Sequence, residues 1–325
     1  MLTRSVLAPS ASMSALPPPR LPFSLPDRFP FRPPRSFKGQ VALALTVVYL
    51  VWGSTYLGIH LSLESFPPLM LGGLRNLFAG IGLFVIAVHR KAVWPSAREV
   101  RNAAIVGTLL EGLSSGMMAY GMRTVGTGTA AVMVATVPLF ATIFAALAGR
   151  GVAKGEWFAV ALGLMGIVLL NHGDPSPSST FGTLAILCAA IFWAGGAHIA
   201  TRLPQPSDLL MSTALQIGLG GLIATGIALL SGERLTHVSP GAGFAFLYLV
   251  VVGSMAAYVA YNFLIRNTST IVATSCLYVN PVVAVMLGAA LLGEVITQWT
   301  VIATVVILLS VGLSFWFDYR RRGLA

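Results

Sequence analysis

Charge is what this sequence has least of. Only 9% of its 325 residues are charged, and ten acidic residues face twenty Lys and Arg. Ordinary soluble domains carry roughly 25% charged residues. With 56% of the chain hydrophobic, no soluble fold of this length could hide its apolar surface. A bilayer removes the problem, because lipid covers apolar faces. Cysteine is almost absent too: Cys188 and Cys276 each lie inside an apolar run. Neither a disulfide nor a thiolate metal site is expected, and both are read as small core residues. A GxxxxGK[ST] phosphate loop, HExxH and Cys/His metal spacings are all missing. That argues against a pump carrying its own ATPase site and against an enzyme, and no cofactor or metal is expected.

What is present is a series of apolar runs near the ~20 residues that span a bilayer. They cover 40–63, 69–88, 102–122, 128–148, 152 or 157 to 171, 181–201, 209–231, 242–264, 270–293 and 295–317. Turn chemistry separates them at Pro67-Pro68, Gly126-Thr127-Gly128, Asp174-Pro175-Ser176-Pro177 and Pro204-Gln205-Pro206. The expected fold is an all-α integral membrane protein of ten transmembrane helices. Residues 1–38 are different: proline-dense, arginine-containing, and without the apolar core of a secretory signal. Such a segment neither forms helix nor buries a core. It is read as a disordered cytoplasmic tail, with Met13 as an alternative start, and residues 318–325 as a short C-terminal tail.

Lys and Arg set the orientation. With a cytoplasmic N-terminus, seventeen of the twenty basic residues fall in the tails and inner loops. They include Arg90, Lys91, Arg98, Arg101, Arg150, Lys154, Arg202 and Arg266, whereas Arg123 and Arg234 fall outside and Arg75 lies within a helix. The positive-inside rule then places both termini in the cytoplasm. The outer loops hold Glu64, Asp174, Glu233 and Glu294. The formal charge of +10 is thus a topological signal, not a nucleic-acid footprint.

The two halves echo each other. Trp52 and Trp193 lie 141 residues apart, Trp157 and Trp299 142, Pro138 and Pro281 143. Taking 40–171 and 181–317 as the halves, each holds five helices. Five is odd, so the second half enters the membrane from the opposite face, which makes an inverted-topology repeat.

Several stretches resemble the EamA-type drug/metabolite transporters, closest to the YedA-like exporters. They are Val51-Trp52-Gly53-Ser54-Thr55-Tyr56, Pro68 with Leu74-Arg75, Val134-Ala135-Thr136-Val137-Pro138-Leu139 and Tyr261-Asn262-Phe263-Leu264-Ile265-Arg266-Asn267. The most specific is Ala273-Thr274-Ser275-Cys276-Leu277-Tyr278-Val279-Asn280-Pro281-Val282, followed by Gly293-Glu294. The chain departs from that branch at Gly121-Met122-Arg123, where relatives tend to carry a Glu-His stretch. The resemblance implies two five-helix repeats around a central pathway. It also implies export of small metabolites or drugs across an inner membrane, amino acids and amphipathic or aromatic compounds among them. Import or exchange of sugars or nucleotide-sugars is the alternative within transport. A membrane enzyme on lipid-linked substrates is the alternative of another class.

Intramembrane charges are costly and mark functional sites. Arg75 lies roughly 20 Å and Glu111 roughly 13 Å from the inner ends of their helices, by the rise of a helix. The gap is about the reach of an arginine side chain, so the two form a candidate pair, either structural or coupling. In the coupling role Glu111 carries a proton. Trp52, Thr55, Tyr56, Trp193, Tyr258, Tyr278 and Asn280 are the candidate pathway residues, since aromatic faces take flat or cationic solutes. Pro138 and Pro281 are expected to kink their helices and free carbonyls toward a wet cavity. Thr129, Thr136, Thr274 and Ser275 lie close to them in sequence. Ala159-Gly163, Ala141-Ala145 and Ala284-Gly288 read as close helix contacts. The expected partners are a small-molecule substrate, the lipid bilayer and a coupling proton.

Overall fold

The computed structural model describes residues 36–172, 180–268, 272–273 and 275–321, and is helical with no strand among them. Residues 1–35, 173–179, 269–271, Thr274 and 322–325 lie outside the described residues, and with them the expected start of the ninth helix at Thr270.

Most helix ends carry the chemistry their sequence announces. Helix α1 is Phe37–Ser62, capped by Ser36, whose hydroxyl accepts from the Gly39 N–H at 3.1 Å. Helix α2, Pro68–His89, starts on a proline that has no N–H to leave unpaired. Helix α3 begins at Ala97 with a Ser96/Glu99 capping box and continues to Gly121. Its middle, Thr108–Leu113, is π-helical. Helix α4, Thr127–Leu147, is broken at Ala135-Thr136. Helix α5 is Lys154–His172 and α6 is Thr180–Ala200. Helix α7, Leu209–Leu230, is capped by Asp208. Helix α8, Pro240–Asn267, opens on a Ser239 cap and also has a π-helical middle, Leu249–Ala256. Helix α9 is Cys276–Leu292, ended by Gly293 at φ 68°, where a side chain would be strained. Helix α10, Gln298–Arg321, extends four residues into the stretch read as a C-terminal tail. Likewise α1 takes in Phe37 and Lys38 from the N-terminal tail.

Seven helices among the described residues are long and apolar enough to cross a membrane: α1, α2, α4, α6, α7, α8 and α10. Of the rest, α9 is apolar but short, and α3 carries Arg98, Glu99, Arg101 and Glu111. Large apolar side chains such as Leu50, Phe78, Val85, Phe181, Leu230 and Phe244 point outward in the open. A soluble surface rarely tolerates so wide an apolar belt; a lipid-facing one requires it.

Helices pair across the middle of the chain. α2 and α7 run antiparallel in close contact, Gly73 facing Thr225, Leu77 facing Gly221 and Gly80 facing Gly218. A Cβ on Gly80 would overlap the Gly218 backbone, so this approach requires glycine. α5 and α10 are likewise antiparallel, with Gly155 on Phe317, Gly163 on Ser310 and Gly166 on Ile307. α4 meets α9 antiparallel through Gly128 and Val285. α1 packs on α8 and α9, and α6 on α3 and α4. Exchanging the halves turns one of these last sets of neighbours into the other. Ala159 and Ala284 are buried at the small-residue spacings. Cys276 is buried as expected, but Cys188 is exposed on the outer face of α6 and is no core residue.

Polar ties close the ends. Glu233 accepts from the Leu69 N–H at 3.2 Å and the Met70 N–H at 2.8 Å, capping α2 from the other half. Glu294 accepts from the Thr127 N–H at 2.6 Å and the Gly128 N–H at 3.1 Å, capping α4 in the same way. At the start of α5, Arg150 bridges Glu156 at 2.8 Å and Asp318 of α10 at 3.0 Å.

Candidate functional site

One π-helical segment carries an interior charge and the other carries the hydroxyl that meets Arg75, both at the seam between the halves. A π turn adds one residue to the helical register and is frequent at functional sites. The first segment carries Glu111, which is only 3% exposed, and the second carries Ser254, which is fully buried. The tight glycine packing of α2 on α7 and of Gly107 and Gly112 in α3 on Gln216 and Gly220 of α7 leaves α3 little freedom to rotate.

Glu111 is held at two points. Its carboxylate accepts from the Tyr258 hydroxyl of α8. Its backbone carbonyl accepts from Asn76 Nδ2 of α2 at 2.8 Å, and that amide also donates to Ser115 Oγ at 3.1 Å. Asn76 is fully buried, and its Oδ1 has no partner. Arg75, the neighbour of Asn76, donates through Nε to Ser254 Oγ at 3.2 Å. Its guanidinium lies within Coulombic range of Tyr56, Glu111 and Tyr258. The ion pairs among the described residues are those of Arg150, so Arg75 and Glu111 do not bridge directly. Each instead reaches across to α8.

Aromatic rings stand beside these charges. Trp52 meets Tyr258 edge-on, with centroids 5.5 Å apart at 73°, and lies 4.9 Å from Tyr261. Thr55 donates to the Trp52 carbonyl at 2.6 Å and sits against Gly253 of the second π segment. Tyr56 is buried one residue further along α1. Trp52, Thr55, Tyr56, Arg75, Glu111 and Tyr258 therefore converge where α1, α2, α3 and α8 meet.

The other sequence candidates lie elsewhere. Trp193 packs among Val137, Phe140 and Phe144 of α4. Tyr278 packs with Leu139, Val160 and Val311, 6.2 Å from Phe315. Asn280 ties α9 to α1, its amide donating to the Tyr49 carbonyl at 3.3 Å and to the Cys276 carbonyl at 3.2 Å. The break in α4 comes two residues before Pro138, at Ala135-Thr136. Pro281 lies inside α9, five residues after its start at Cys276. Thr136 and Ser275 each donate to the carbonyl three residues back at 2.6 Å. The α4 interruption thus falls in the turn ahead of Pro138, where proline leaves a carbonyl without its helical N–H partner. Thr129 lines a separate cleft with Thr124, Val285 and Glu294 at the ends of α4 and α9.

Two residues escaped the sequence reading. Ser254 and Asn76 are ordinary polar residues in apolar helices, and nothing in composition marks them. Asn76 could have been found, since it follows Arg75 directly and a buried amide demands partners.

The profile of the EamA-like transporter family matches this chain twice, over residues 39–172 and 180–316. The chain belongs to the EamA-like transporter family. It is a multi-pass membrane protein of that family, and the two matches correspond to the two halves described above. It is 41% identical over 267 residues to the Uncharacterized inner membrane transporter YedA of Escherichia coli strain K12. That match covers 81% of this chain and 87% of the relative. The Uncharacterized transporter YoaV of Bacillus subtilis strain 168 is 24% identical, over 87% of this chain and 99% of its own length. A Probable terminal-alkyne amino-acid exporter of Streptantibioticus cattleyicolor is 25% identical, over 78% of this chain and 85% of its own. A solved crystal structure shares the fold at a TM-score of 0.55 and 16% identity, over 84% of this chain and 96% of that one.

Proposed function

We propose that this EamA-like protein is a secondary carrier that exports small organic solutes across the inner membrane by alternating access. In this reading all ten apolar runs cross the bilayer, as two inverted five-helix repeats with both termini in the cytoplasm. The antiparallel pairing of α2 with α7, α4 with α9 and α5 with α10 supports the inversion. So does the placement of a π-helical segment in the middle of both α3 and α8. The basic-residue bias supports the orientation.

The observation that carries the reading is the cluster at the seam. Glu111 and Arg75 of the first half bond to Tyr258 and Ser254 of the second. A site built from both halves changes its exposure when one half rocks against the other, which is what alternating access requires. Its aromatic walls, Trp52, Tyr56 and Tyr258, suit organic solutes with a flat apolar body better than a bare ion. The name of the Streptantibioticus relative supports export of a small amino-acid-like compound. The test is thermal unfolding of the purified protein across a metabolite panel. A stabilising solute should lose its effect in Tyr258→Ala and Trp52→Ala, whereas an effect that survives both would place the site elsewhere.

A further inference from the structure

Arg75 is an intramembrane cation whose fork is left open. Of its donors, Nε alone is engaged, by Ser254 Oγ at 3.2 Å. The two Nη groups make no hydrogen bond or ion pair among the described residues. The buried side-chain polar atoms without partners among the described residues are Asn76 Oδ1, Thr127 Oγ1 and Arg150 Nε, so the Nη groups of Arg75 keep some accessible surface. Arg75 itself is partly exposed. Its neighbours Tyr56 at 8% exposure, Glu111 at 3% and Ser254 at 0% are buried.

A charged group at this depth is expensive unless it faces a cavity or a counter-charge. The obvious counter-charge is Glu111, and the fold holds it back. Tyr258 takes its carboxylate and Asn76 fixes its backbone, while Ser254 turns Arg75 the other way. A purely structural ion pair would be closed. Here the titratable groups around Arg75 are Tyr56, Glu111 and Tyr258, and none of them occupies its fork.

We infer that Arg75 is the anchor for the anionic group of the substrate, an organic monoanion with an apolar or aromatic body. The inference rests on the transport reading above and names the substrate class of that site. Two parallel N–H donors on a planar guanidinium match the two oxygens of a carboxylate or sulfonate. Trp52, Tyr56 and Tyr258 lie beside the fork to receive the apolar body. Such a substrate also needs no second ion to leave the cell. An inside-negative potential drives a monoanion outward, with a concentration ratio of about 50 for each 100 mV.

The experiment uses the full chain in proteoliposomes with three permanently defined probes: benzenesulfonate, neutral benzenesulfonamide and benzyltrimethylammonium. A potassium diffusion potential is imposed in each direction. The expected result is saturable benzenesulfonate movement that follows the potential and exceeds both other probes. Arg75→Gln should lower it at least about 10-fold, the scale of a lost charge-assisted bond. Arg75→Lys keeps the charge but loses the fork, and should fall between. Because Arg75→Gln could misfold, Ser254→Ala is the second variant. It frees Nε without removing the charge, and is expected to weaken benzenesulfonate about 3-fold on the scale of one neutral hydrogen bond while the unfolding temperature holds. Movement of the amide or the ammonium without the sulfonate would overturn the anchor and leave the transport reading standing. Sulfonate movement unchanged in folded Arg75→Gln would also overturn it. No movement of any probe would count against both readings.

Discussion

Tyr258 of the second half donates its hydroxyl to the carboxylate of Glu111 in the first; Glu111 lies within the π-wound part of α3, and Tyr258 two residues past that of α8. That bond does for α3 and α8 what a direct Arg75–Glu111 bridge would have done for α2 and α3. It makes the seam between the halves polar at its centre and apolar around it.

The bond can be weighed by a double-mutant cycle of Tyr258→Phe and Glu111→Ala, read by thermal unfolding in detergent. Polar contacts inside membrane proteins couple by about 0.6 to 1.7 kcal/mol. A coupling in that range is expected. A coupling indistinguishable from zero would mean that the bond does not hold the halves.

Glu111→Gln separates the two roles open to this acid. Glutamine keeps an acceptor for Tyr258 but cannot carry a proton. The variant is expected to fold, to exchange substrate and to keep accumulation driven by an imposed potential. Loss of accumulation driven by a pH gradient, with exchange intact, would instead assign the coupling proton to Glu111.

Gly80 and Gly218 face each other, yet they are not equivalent. A Cβ on Gly80 would overlap the Gly218 backbone, whereas one on Gly218 would lie 3.4 Å from Gly80 Cα, an ordinary contact. Gly80→Ala should therefore cost about 1–3 kcal/mol, as overpacking does. Gly218→Ala should be near neutral. Equal costs would show that the α2–α7 approach is looser than described.

Glu233 and Glu294 each cap a helix of the opposite half. Replacing a capping side chain by Ala costs about 0.5–2 kcal/mol. Glu233→Ala and Glu294→Ala should each lower unfolding stability by that amount. Glu64→Ala, on an exposed acid in the turn after α1, should not.

Much of this fold is written in hydropathy. The apolar runs located most helices to within four residues, although α3 begins five residues before its run and α9 six residues into its own. The scarcity of interior charge singled out Arg75 and Glu111 before any coordinates. Facing was harder to read. These helices are apolar nearly all round, so periodicity does not say which side looks inward. That is why Trp193 and Tyr278, plausible by depth, turn into packing around α4 and α10. The π turns have no compositional mark. The caps from Glu233 and Glu294 join positions more than 160 residues apart, which only the assembled bundle brings together. Ser254 was invisible for a related reason: its role exists only because Arg75 reaches it from another helix.

The orientation of the ends has its own check. Reporters active on one side only, fused to the C-terminus and inserted after Asn171, should report opposite faces, the C-terminus inside. Two reports from the same face would break the ten-crossing reading.

Counterflow in sealed proteoliposomes tests the central claim most directly. Vesicles holding the purified protein are loaded with an unlabelled solute that stabilises it, then exposed to the same solute in labelled form. The expected result is transient, saturable uptake of label above that of protein-free vesicles, abolished by Trp52→Ala and Tyr258→Ala. Uptake no greater than in protein-free vesicles, with the protein folded and correctly inserted, would contradict the account.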